Sequence, residues 1–175
     1  MLNKRLMVLV AIVLGVAFLR LIPHPPNFAP AAALALFAGA HFRDNRTALL
    51  LPLAAMMLSD LLIGLHGQML VIYGCFTATV GIGMLLRDRI RIAPVAAAAI
   101  GSSVLFFAVT NLAVWALDGL YPLTLEGLLA CYVAAIPFFQ NTLLGTAFYT
   151  VVLFGGFALA ERWSPGLRAP AARSA

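Results

Sequence analysis

Apolar residues in this chain neither alternate with polar ones nor recur on one side of a helix. They come in near-unbroken runs separated by short clusters of charge, proline and glycine. Runs of about 20 apolar residues are the length of a helix that crosses a bilayer. The first, 6–19, follows Lys4 and Arg5 and is closed by Arg20 and the His24-Pro25-Pro26 cluster. It resembles a signal peptide, but no small-residue cleavage site follows, so it is expected to stay as a first helix. The second, 28–42, is short and opens at Pro30, which suits a helix start because its missing N–H has no partner there. The third, fourth and fifth cover 47–65, 68–86 and 92–117. Residues 123–136 are apolar but short, and Pro137 is expected to break them from the last run, 138–160, because a mid-helix proline loses a hydrogen bond and clashes with the preceding turn.

The pattern predicts an all-α membrane protein, a compact bundle of six transmembrane helices in one domain over 1–160, with a loose cytoplasmic tail over 161–175. Composition narrows this further. The chain of 175 residues is 63% hydrophobic and 10% charged, with a mean hydropathy of +1.03. Soluble domains carry about 25% charged residues, so too few polar side chains are present to coat a water-facing surface. The net charge of +5 does not indicate nucleic acid, because the bases sit at the ends of apolar runs, where they set topology. Six spans with both termini in the cytoplasm put Lys4, Arg5, Arg43, Arg46, Arg87, Arg89, Arg91, Arg162, Arg168 and Arg173 inside and leave Arg20 outside. A re-entrant 28–42 would instead put the N-terminus outside. The basic N-terminus favours six spans.

Polar residues within the runs are costly, so their depth is informative. At about 1.5 Å per residue, Asp60, Cys75 and Asn111 lie roughly 8–9 Å from the outer ends of their helices. Trp115 follows Asn111 at i+4, and Gln140 and Asn141 lie near the outer end of the last run, with Asn27 in the loop above. These residues predict an outward-facing polar cup, closed below by an inner half whose interior polar groups are mainly Ser102 and Ser103. Each has a plainer reading. Asp60 could cap a helix, Asn111 and Asn141 could bond neighbouring helices for about 0.6–2 kcal/mol, Cys75 could simply pack, and Trp115 could be an interfacial aromatic. His24 and His66 read as solvated loop residues. Ala11 and Gly15, and Ala31, Ala35 and Gly39, recur every four residues. Such faces allow close helix approach, either within the bundle or as a docking face for another membrane protein.

Several stretches carry a family resemblance. They are RLIPHPPNFAP at 20–30, ALALFAGA at 33–40, LSDLLIG at 58–64, FFAVTNLAVW at 106–115 and IPFFQNTL at 136–143. Over 20–157 the chain resembles a family of small bacterial six-helix membrane proteins. Through size, helix number and the polar cup it is similar to the substrate-binding S components of energy-coupling-factor (ECF) vitamin transporters. The resemblance implies uptake of a vitamin or related molecule captured at the outer side, and docking through a small-residue face onto a membrane coupling protein driven by two ATPases. It also brings in a corrinoid such as cobalamin as leading substrate, with Cys75 as a soft thiolate ligand to its metal; a non-metal vitamin stays open.

No GxxxxGK[ST] motif is present, so ATP use would come through the partner. Gly101-Ser102-Ser103 is not a GxSxG elbow, no HExxH occurs, and the two cysteines form no CxxC. No enzyme, resident cofactor or nucleic-acid partner is expected. The alternative to a transport subunit is a membrane scaffold for envelope assembly, its polar layer merely joining helices.

Overall fold

The computed structural model describes residues 4–168. Six helices follow in chain order: α1 Lys4–Phe18, α2 Ala31–His41, α3 Asn45–Ile63, α4 Met69–Met84, α5 Ile92–Leu117 and α6 Leu125–Trp163. Among the described residues there is no strand. Helices α3, α5 and α6 are long and apolar enough to cross a membrane. Leucine, isoleucine and valine side chains such as Leu61, Ile100, Val133 and Leu144 lie on the outside, while Asp60, Ser102 and Ser103 are buried. That inversion suits an apolar solvent.

The core is built around α2. Ten of its eleven residues are buried, and it packs against all five other helices. At about 1.5 Å per residue it is roughly 16 Å long, about half the apolar thickness of a bilayer. Its closest neighbour is α4. A Cβ at Gly39 would run into the Val80 carbonyl and the Gly83 backbone, and one at Gly83 would meet the Leu36 carbonyl. The two helices therefore touch backbone to backbone. Ala31, Ala35 and Gly39, offered above as a docking face, are enclosed by the chain itself. Their small side chains serve intramolecular packing, and the face is not free for a partner. Ala11 and Gly15 on α1 remain exposed.

One end of the bundle collects the basic residues. Arg5 pairs with Glu161 and lies over the Phe157 ring, and Lys4 donates to Ser164 Oγ at 3.3 Å. His41 stacks on Phe37 at 4.2 Å and meets Phe157 edge-on at 4.9 Å. Arg87 reaches the end of α2, donating through Nε to the Gly39 carbonyl at 3.1 Å and through Nη1 to Asn45 at 2.7 Å, a cation at the negative end of a helix dipole. Asp44 caps α3 by accepting from the Thr47 N–H and hydroxyl, each at 2.7 Å, and these bonds hold its carboxyl below the usual range.

Three expectations are corrected. Pro137 does not end a helix: α6 runs through it for 39 residues. The proline is exposed on the outer side of α6, and packing of α6 against α5 holds the helix together across the missing bond. Lower down, α6 carries a π-helical turn over Val151–Gly155. Residues 161–168 are not a loose tail either. They finish α6 and form a short 3₁₀ turn, Pro165–Leu167, with Leu167 buried and its carbonyl bonded to Arg5; 169–175 lie outside the described residues. The half nearer the basic end also holds more buried hydroxyls than expected, with Thr79 and Thr150 joining Ser102 and Ser103.

Replacing Gly39 with alanine should destabilise the protein by about 1–3 kcal/mol, the usual cost of overpacking, read as a lower unfolding midpoint in detergent. Gly15→Ala, with nothing near the added carbon, should leave the midpoint unchanged.

Candidate functional site: a cavity at the start of the buried helix

Because α2 is half-length, the segment before it must descend into the bundle. Residues 22–30 do so as irregular backbone. A turn at Pro25-Pro26-Asn27-Phe28 is closed by the Phe28 N–H on the Pro25 carbonyl at 3.0 Å, with Asn27 at φ 63°. Proline followed by a residue of positive φ is the type II pattern, and asparagine tolerates the left-handed position. The Asn141 side chain of α6 donates to the Pro26 carbonyl at 3.0 Å. Phe28 lies against Phe148 and Tyr149, and Gly145 leaves room for its backbone.

Above α2 this arrangement leaves a cavity of about 320 Å³. Its polar lining is Arg20, His24, Asn27, His66, Thr142 and Thr146, and its apolar wall is Ile63, Ile72, Phe76 and Phe106, with Ala29, Ala31 and Ala32 at the start of α2. His24, Asn27 and His66 are exposed and form the mouth. Phe76 and Phe106 face each other with ring centroids 5.8 Å apart. The volume is at the lower end of the roughly 300–1,000 Å³ found for small-molecule sites. Irregular backbone at such depth is tolerated where it is enclosed by protein or lines a cavity; here it does both.

Arg20 is held from behind. Its Nη2 donates to Asp60 Oδ1 at 2.7 Å, and its Nη1 donates to Ser59 Oγ and, at 3.4 Å, to the Met56 carbonyl. The other Asp60 oxygen accepts from the Tyr73 hydroxyl at 2.7 Å. The Asp60 side chain is 3% exposed and that of Arg20 17%. Asp60 is therefore a positioning residue: it aims Arg20 and does not line the cavity.

The residues named from the sequence separate accordingly. Asn27 lines the cavity, Asp60 supports its wall and Asn141 pins its turn. Cys75 is buried beside Phe76 but is not a lining residue. Asn111 bonds the Phe107 carbonyl within α5, and Trp115 donates to the Pro122 carbonyl at 2.9 Å. Both belong to the α5–α6 hairpin and do not reach the cavity. Gln140 is exposed and lies outside it too. Shared depth brought these residues to one level, but they point in different directions around the bundle. His24, His66, Arg20 and the two threonines were missed. The signals were the Pro-Pro-Asn turn and the i+4 spacing of Thr142 and Thr146.

Comparison with known proteins adds one decisive match, to the Family of unknown function (DUF6580), over residues 1–167. The chain belongs to the DUF6580 family. No curated protein and no solved structure matches this DUF6580 member.

Removing one side of the Arg20–Asp60 pair should cost about 3–5 kcal/mol, because the remaining charge is left buried. Asp60→Ala is therefore expected to lower the unfolding midpoint clearly. Replacing both partners, Arg20→Met with Asp60→Leu, should recover most of the loss, as measured by thermal unfolding of the purified protein.

Proposed function

We propose that this protein is a multi-pass subunit of the bacterial cytoplasmic membrane, with both termini inside, that binds a vitamin or related small molecule for uptake. The observation that carries this reading is the cavity of about 320 Å³ at the end of the bundle away from the basic residues. In a membrane oriented with its basic end in the cytoplasm, the cavity faces the outside. Below it the axis of the bundle is filled by α2, an arrangement suited to capture rather than to an open channel.

The site binds rather than catalyses, in the manner of the ECF S components that the sequence resembles. Energy would come from partner ATPases through a membrane coupling protein. Of the small-residue positions, Ala11 and Gly15 on exposed α1 are the ones available for docking. A corrinoid, with its macrocycle and nucleotide arm, is much larger than the cavity, and Cys75 is buried away from it. A compact non-metal molecule suits the space better. In the alternative reading, a membrane scaffold, the cavity would have no ligand.

Two measurements test this. Reporter fusions at Asp44 and Arg89 should read cytoplasmic, and those at Gly67 and Gly119 external; the reverse pattern would overturn the orientation. A thermal-shift screen of water-soluble vitamins and their precursors on purified protein should find a stabilising compound. At a hundred times its Kd the gain is about 2.7 kcal/mol. Ile72→Trp, which fills the cavity, should abolish the shift. A screen with no hit, or with hits insensitive to Ile72→Trp, would favour the scaffold.

A further inference from the structure

We propose that the cavity is an anion site: it takes a small amphiphilic molecule whose carboxylate or phosphate lies among Arg20, His24 and His66, and whose apolar body lies on Phe76 and Phe106. This rests on the reading of the cavity as a binding site and names the chemistry of its ligand.

The charges around the cavity carry the inference. Among the described residues its lining contains one guanidinium and two imidazoles, and no aspartate or glutamate. The nearby acid, Asp60, already has both oxygens engaged, one by Arg20 and one by Tyr73. Arg20 is not exhausted by that pair. Its bonds to Asp60, Ser59 and Met56 use three N–H groups of the five that a guanidinium carries. Two remain for a ligand, on a side chain that lines the cavity. Asp60 lowers the cost of keeping Arg20 at this depth without taking all of its donors.

The backbone agrees with the side chains. Pro30 at the start of α2 provides no side-chain cap, and the next residues, Ala31 and Ala32, line the cavity. The start of α2 thus lines the same space as Arg20. A half-length helix that starts inside a bundle presents the positive end of its dipole there, a geometry suited to anionic groups at membrane depth. The apolar part of the lining, Ile63, Ile72, Phe76 and Phe106, offers nothing to a charge and suits a flat apolar group. A carboxylate and a phosphate monoester would both answer this description, as the acid group of a nutrient or of a phosphorylated precursor.

The test uses the full-length protein in nanodiscs and isothermal titration with indole-3-acetate, its neutral isostere indole-3-acetamide, and phenyl phosphate. At least one of the two anions should bind ten-fold or more tighter than the amide. Which anion binds tighter tells carboxylate from phosphate. Ala32→Asp, which places the protein's own carboxylate in the cavity, should weaken anion binding at least ten-fold, and the equally large Ala32→Asn much less. Equal binding of acid and amide, or equal losses in the Asp and Asn variants, overturns the anion assignment but leaves the cavity reading standing if Ile72→Trp abolishes binding. Binding indifferent to Ile72→Trp overturns both. Absence of binding by all three probes overturns the anion assignment alone, since the vitamin screen judges the cavity separately.

Discussion

The backbone contact between α2 and α4 at Gly39 and Gly83 is the constraint on which the rest of the architecture depends. Two helices that meet without intervening side chains allow a third layer to close around them, and α2 becomes an axis wrapped by five neighbours. Enclosure in turn permits α2 to be short. A helix facing lipid must satisfy its backbone along the whole apolar thickness, whereas one enclosed by protein can stop halfway and leave the remainder to a bonded turn. The turn at Pro25–Phe28, the cavity above it and the open first turn of α2 all follow from that early stop.

The second structural element is electrostatic. A guanidinium largely enclosed by an apolar bundle is expensive, and Asp60, Ser59 and Tyr73 make it tolerable. A buried ion pair is seldom a net source of stability compared with well-packed apolar groups. Its retention here makes more sense as a device that fixes the direction of Arg20. With Tyr73, the pair also ties the segment just after α1 to α3 and α4 at the level where the irregular segment begins, so the cavity wall and the fold share the same bonds.

Much of the fold was legible from where apolar runs stop. The α5 boundaries, Ile92–Leu117, coincide with the run read from sequence, because charge on both sides defines them sharply. Pro137 misled, since the cost of one lost hydrogen bond is small against the packing of a long helix on its neighbour. For the site, depth was legible and direction was not. Counting residues from a helix end places Asp60 and Asn111 at one level, but which way each points depends on packing angles that no single run encodes. Asp60 announced itself through the cost of an acid in an apolar run, yet its role as a support needed the position of Arg20. His24 and His66 looked like solvent-exposed loop residues. Only the early end of α2 turns their loops into the rim of a cavity.

The π-helical turn at Val151–Gly155 sits at a junction within α6. Upstream, Thr142, Thr146 and Thr150 share one buried stripe; downstream, Phe154 and Phe157 close on His41. Their spacing of four, four, four and three residues keeps both sets on one face of the helix. A single stripe of α6 thus serves two interiors, a polar one beside the cavity and an aromatic one at the basic end. One continuous face carries the bundle from hydroxyl chemistry on one side to ring stacking on the other without a break in the chain.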